Sequence, residues 1–190
     1  MMCGRFSRLL ASAALAAAPA AAGANTSFRS PFEMQQPASS PVAPPYEVRT
    51  ADRGEDFMVV PADREDFERL LREIQEAYGR EDYGAIRERT TPEIMGFLAE
   101  ELGQNASQGL KNEVTDVKML EGDVAEAWRE GDLDYATAAL RYSSRDVMRA
   151  RDTGALVEGD PDELVETTEL WTFVRRQGEP WKLSAIQQAH

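Results

Sequence analysis

One cysteine and one histidine are all that 190 residues contain of either type. With Cys3 alone, the chain has no intrachain disulfide and no multi-thiolate metal site. With only His190, the last residue, it has no histidine-dependent triad within a fold and no multi-histidine metal centre. The sequence therefore leads to an expectation of no metal and no cofactor. Positive charge is also scarce. Lys and Arg number 21 against 34 Asp and Glu, a net charge of −13. Residues 1–60 balance five arginines against five carboxylates, so the whole excess lies in residues 61–190. Such a domain repels phosphate at long range, which argues against nucleic acid as a partner. Long apolar runs are confined to Leu9–Ala24. That run is mostly alanine and shorter than the ~20 residues of a membrane-spanning helix.

What is present divides the chain in three. Residues 1–24 read as an export signal: Arg5 and Arg8, then the apolar run, then Ala22-Gly23-Ala24 as a small-x-small cleavage pattern. Export to the periplasm, or to the periplasmic face of the inner membrane, follows from that reading. A mitochondrial presequence is the alternative, because Arg, Ser and Ala without acids suit it too. Residues 25–60 read as a linker, with Pro31, Pro37, Pro41, Pro44 and Pro45 among Ser, Ala and Gln. Such a stretch buries too little apolar surface to order itself. Phe57-Met58-Val59-Val60 either docks on the following domain as an edge segment or staples its first helix.

Residues 61–190 read as one α+β domain. Asp63 caps a first helix whose apolar face is Phe67, Leu70, Leu71, Ile74, Ala77 and Tyr78, with Gly79 as its end. Asp82 starts a short second helix. Thr91-Pro92 opens a third, with Ile94, Met95, Phe97, Leu98 and Leu102 inward. From Asn112 the apolar period becomes two, giving strands at 112–120, 124–130, 134–150, 164–176 and 180–188. Gly122-Asp123, Gly131-Asp132, Asp152-Thr153-Gly154 and Gly159-Asp160-Pro161 read as the turns between them. The long strand 134–150 is expected to bend at a bulge near Ser143-Ser144. The last two strands form a hairpin closed by Gln177-Gly178-Glu179-Pro180. On the first of them Trp171 and Phe173 face one way, and Leu170, Thr172 and Val174 the other. Apolar side chains on both faces mark a central strand.

Thr153-Gly154, Gly159-Asp160, Trp171-Thr172-Phe173-Val174-Arg175 and Trp181-Lys182-Leu183, in that order and spacing, resemble the C-terminal domain of subunit 44 of the mitochondrial inner-membrane translocase. The acidic chain, with arginine over lysine, looks like the bacterial Tim-like relatives of that domain rather than the mitochondrial protein. The resemblance covers residues 61–190. It implies a cone fold like that of nuclear transport factor 2, with helices packed on a curved antiparallel sheet around an apolar cavity. It also implies a peripheral membrane role, tethering partners for protein translocation or membrane insertion, and no catalytic residues. The chain departs from many bacterial relatives in lacking a Gly-rich segment, a separate transmembrane helix and a basic amphipathic helix.

Two sets of residues are candidate sites. Tyr78, Phe97, Trp128, Tyr142, Trp171 and Phe173 could line an apolar cavity, although aromatics in such number also simply build a core. Arg141, Arg145, Arg149 and Arg151 share odd numbers and so one face of an unbulged strand. They form either a basic stripe for an anionic partner or cross-strand pairs with neighbours such as Glu166 and Glu169. Tyr142 and Asp146 share the opposite face, where burial can tune an acid for isomerase chemistry, but the sequence shows no second convergent group. The reading is a non-enzymatic binding module whose partner is a protein or an anionic membrane surface. Its rivals are a small-molecule-binding or isomerase-type protein using the cavity, and a self-associating domain that forms a homodimer through an uncovered sheet face.

Overall fold

A computed structural model of the chain describes residues 55–188. The signal read in residues 1–24 and the linker up to residue 54 lie outside the described residues. The order is β1 (Glu55–Asp56), α1 (Pro61–Arg80), α2 (Tyr83–Arg89), α3 (Pro92–Ser107), β2 (Leu110–Glu130), β3 (Leu133–Ala150), β4 (Leu156–Glu158), β5 (Val165–Arg176) and β6 (Lys182–Gln188). The fold is α+β, three helices followed by a curved antiparallel sheet. Strands lie in the order β1-β2-β3-β5-β6, and β4 pairs with the far end of β3.

The helices end where local chemistry ends them. Asp82 Oδ1 accepts the Ala85 N–H at 3.0 Å to start α2, and Pro92 opens α3. Asp63 is not the cap residue itself. It sits inside the first turn of α1 and reaches back to accept the Val60 N–H at 3.0 Å. Gly79 is not the terminator either: α1 runs on to Arg80 and stops at Glu81, which takes φ 58°. Gly79 is small because α1 crosses β2 there. A Cβ at this position would lie 2.6 Å from the Val114 nitrogen and 2.9 Å from its carbonyl oxygen. Backbone cannot retreat as a side-chain tip can, so Gly79→Ala is expected to cost about 1–3 kcal/mol. Urea unfolding followed by tryptophan fluorescence measures that, and an unchanged midpoint contradicts it.

The sheet departs from its sequence pattern in one strand. β2 does not turn at Gly122-Asp123; it continues through them, with Gly122 opposite Leu140 and Asp123 opposite Ala139. Instead β2 carries three register shifts, at Thr115/Lys118, Met119/Glu121 and Val124/Glu126. At the first, Asp116 and Val117 together oppose Ser144, and Asp116 has φ 53°, which an aspartate tolerates better than most residues. The bulge expected at Ser143-Ser144 is therefore on the partner strand. β3 itself pairs with β5 without interruption from Leu133↔Arg176 to Ser144↔Val165. Extra residues on one side of an even ladder lengthen that side, and the sheet curls around the helices.

The core lies between the helices and the concave face. Phe67, Leu71, Ile74 and Tyr78 of α1 and Leu98 and Leu102 of α3 meet Leu140, Tyr142, Trp171, Phe173 and Leu183, all buried. Phe67 stacks on Phe173 with centroids 4.2 Å apart and meets Trp181 edge-on at 5.2 Å. On β5 the alternation is regular: Trp171 and Phe173 have no exposed surface, while Leu170, Thr172 and Val174 are half-buried on the other face.

Candidate functional site

Three groupings carry polar chemistry. The first is a buried chain beneath the middle of the sheet. Gln75 Nε2 donates to the Tyr142 hydroxyl at 3.0 Å, and that hydroxyl donates to Glu169 Oε2 at 2.9 Å. Trp171 Nε1 donates to the same oxygen at 2.9 Å. Glu169 has no exposed surface. A carboxylate in such a place survives because hydrogen-bond donors replace the water it has lost. Burial, and then the neighbouring Glu169, push the Tyr142 phenol well above its ordinary range. Further along the same face, Tyr78, Glu101 and Asp146 come together. Burial, partly opposed by the Tyr78 hydroxyl and reinforced by Asp146, raises the Glu101 carboxyl to about 7. Tyr78 is itself pushed upward, by burial first and then by Glu101. Two phenols held neutral and one carboxyl able to titrate near neutrality are the chemical resources of this interior.

The second grouping fastens the start of the domain to its end. Asp63 Oδ1 accepts from Arg175 Nη1 at 2.7 Å and from Trp181 Nε1 at 2.9 Å. Arg175 Nε also reaches Asp134 at 3.2 Å, and Arg129 Nε reaches the other Asp134 oxygen at 2.6 Å. Burial pushes the Asp134 carboxyl up, but the two guanidiniums outweigh it and hold it below its ordinary value. Phe57 lies under both, 5.3 Å from the Arg129 guanidinium and 5.4 Å from that of Arg175. Just ahead of it, Glu55 and Asp56 pair with Arg129 and Trp128 along the edge of β2.

The third grouping is the arginine set. Arg141 pairs with Glu121 at 2.8 Å and Glu166 at 2.9 Å, Arg145 with Asp116 at 2.6 Å, and Arg149 with Glu113 at 2.6 Å. Arg151, in the turn beyond β3, pairs with Glu81 and donates to the Leu110 carbonyl. Arg145 and Arg149 also bind backbone: the Pro161 carbonyl at 2.7 Å and the Gly154 carbonyl at 3.2 Å. They stitch the segment between β3 and β5 to the convex face of the sheet.

Of the six aromatic residues singled out from the sequence, Tyr78, Tyr142, Trp171 and Phe173 are buried together in the core. Phe97 is partly buried at its margin. Trp128 stands on the convex face, stacked on Tyr135 with centroids 5.0 Å apart. Sequence reasoning passed over Glu101 and Gln75, and it read Glu169 as a partner of the arginines; Glu166 does pair with Arg141, but Glu169 is buried on the opposite face with Tyr142 and Trp171. Period two already puts Glu169 on the face of Trp171 and Phe173. Glu101 follows Leu98 at a helical spacing of three.

The model of the Tim44-like domain matches residues 63–188. The chain belongs to the Tim44-like domain family. Within this Tim44-like chain the match spans all three helices from Asp63 onward and strands β2 to β6. No curated protein matches it. Among solved structures it is similar to the intermembrane-space region of the chloroplast protein ARC6, with 12% identity and a TM-score of 0.45. That likeness covers 70% of this chain and 100% of the other. It is also similar to a conserved protein from Planctomyces limnophilus DSM 3776, with 14% identity and a TM-score of 0.36, covering 67% of this chain and 98% of that one. No helix among the described residues is long and apolar enough to cross a membrane.

Proposed function

We propose that this Tim44-like domain is a non-enzymatic tether that acts beside a membrane in protein translocation or membrane assembly. The family match over residues 63–188 carries the reading. The interior supports it: Tyr142 and Glu169 spend their hydrogen bonds on each other, Gln75 and Trp171, inside a packed core. In this reading residues 1–24 are an export signal removed after Ala24, and the tether works in the periplasm. Intact mass of native material tests that step, with a mature chain starting at Asn25 as the expected result.

The partner in this reading is a protein rather than bare anionic lipid. Each of Arg141, Arg145 and Arg149 already has a carboxylate within 2.9 Å. A phosphate must displace that carboxylate to bind, against a domain charge of −13. Flotation with anionic vesicles is therefore expected to be no stronger than with neutral ones. Arg145→Glu with Arg149→Glu is expected to loosen the β3–β5 segment without changing flotation. Wild type floating only with anionic vesicles, and a folded double variant losing it, overturns the protein reading. Crosslinking of the tagged full chain in its native envelope, followed by mass spectrometry, tests the tether. Recovery of membrane-bound translocation or assembly proteins is the expected result.

A further inference from the structure

The segment 152–164 between β3 and β5 is held rigidly yet presents an unusual surface. Beyond the arginine stitches, the Ala150 N–H donates to the Ala155 carbonyl at 2.8 Å, and Met148 and Arg149 pair with Glu158 and Leu156. Gly159, at φ 90°, packs so tightly on β3 that a Cβ would lie 2.6 Å from the Asp146 carbonyl oxygen. The segment is thus fixed to the sheet. It nevertheless exposes three large apolar side chains within nine residues: Leu156 at 44%, Val157 at 54% and Leu164 at 50%. A loop that only connects two strands has no need to hold apolar groups in water, and rigidity removes the entropy cost of ordering them on binding.

Two more observations say what fits there. Among the described residues β4 forms a ladder with β3 alone, so at Leu156 and Val157 its other edge offers backbone groups outside any ladder. The segment's own charge is of one sign, and the two arginines that reach it, Arg145 and Arg149, are each already paired with a carboxylate of β2. Asp152, Glu158, Asp160, Asp162 and Glu163 lie in residues 152–164, which contain no Lys or Arg. Asp152, Asp160, Asp162 and Glu163 form no ion pair among the described residues. A second copy of this chain would bring the same acids against them, on top of a net −13 from each side. A basic segment gains where a second copy loses.

We infer that the outer edge of β4 is a docking site for an extended segment of a partner protein with alternating apolar and basic residues. The segment adds as a strand beside Leu156–Glu158. Its backbone pairs with β4, its apolar side chains cover Leu156, Val157 and Leu164, and its basic ones meet the acidic rim. This names one surface of the tether proposed above and rests on that reading.

The probe is an eight-residue peptide of alternating valine and lysine, titrated into the folded full chain and followed by backbone amide NMR. Shifts confined to residues 152–164, largest at 155–159, with saturation below about 1 mM, are expected. Four comparisons fix the cause. The same peptide N-methylated at every residue keeps the charge but cannot pair as a strand, and is expected not to saturate. A valine–glutamate peptide is expected not to bind. The chain with Asp160→Asn, Asp162→Asn and Glu163→Gln is expected to bind roughly tenfold more weakly at low salt. Leu156→Ser with Val157→Ser changes only exposed positions, keeps the fold and is expected to abolish binding. Equal binding by the N-methylated or glutamate peptide, shifts along β2 or β6 instead, or no saturation with the first peptide each overturns the site. If the doubly substituted chain still recovers the same envelope partner, this docking site is wrong while the tether reading stands.

Discussion

Asp63→Ala is expected to destabilise the domain by about 3–5 kcal/mol, the largest effect of any single substitution considered. Asp63 is 3% exposed and serves three donors: the Val60 N–H, Arg175 Nη1 and Trp181 Nε1. Alanine leaves a guanidinium and an indole N–H facing a hole, and frees the first turn of α1. The cost is not the loss of attraction alone. Arg175 lies between the Trp181 ring, 4.3 Å away, and Phe57, and cannot swing fully into water without giving up both. Asp63→Asn keeps an oxygen acceptor for the indole and is expected to lose about half as much. Denaturant unfolding measures both. An alanine variant within about 1 kcal/mol of wild type shows that the cluster holds little of the fold together.

The second large effect has the opposite sign. Glu101→Gln is expected to stabilise the domain, and more so as pH rises. Burial lifts the Glu101 carboxyl from 4.5 to about 7 in the folded state. The unfolded chain therefore gives up this proton first, and folding loses stability as pH climbs from about 4.5 to 7, then levels off. At one pKa unit per 1.36 kcal/mol the full loss is about 3 kcal/mol. Glutamine keeps a polar group beside Tyr78, cannot ionise, and ends the repulsion with Asp146. Its advantage over wild type should grow by about 2 kcal/mol between pH 5.5 and 8. Lower pH is best avoided, because the chain approaches its isoelectric point of 4.6 and precipitates readily there. Parallel stability profiles for the two proteins contradict the assignment. Asp134 works the other way: its carboxyl is held low, so its contribution is present above its unfolded value and fades as pH falls below it.

The helices were legible because each has a local signal: a cap at Asp82, a proline at Pro92, an apolar face on α1. The terminal hairpin was legible too, from period two and a compact turn. β2 was not. Gly122-Asp123 has the composition of a turn, but an unbroken β3 offers a hydrogen-bond partner at every step, and tertiary pairing overrode the local preference. β4 is three residues long, below what periodicity can reveal. The arginine set shows the same limit. Odd numbering marked one face, but whether each guanidinium had a carboxylate depended on a register shifted three times in β2. Glu169 was within reach of the alternation, which puts it with Trp171 and Phe173, yet its charge invited the reading as a partner of the arginines on the other face.

The clasp at Asp63 also sets a clock. Its partners Arg175 and Trp181 lie 112 and 118 residues further along the chain. At a synthesis rate of about 5–20 residues per second, the first helix waits roughly 6–24 seconds for the residues that lock it down. The two edges of the core come from the two ends of the domain, so no shorter nascent fragment can close it. For that interval everything N-terminal to the clasp stays attached to an unclosed chain. A factor that must engage the leading end before folding finishes has a window whose length is fixed by the order in which the sheet is strung together.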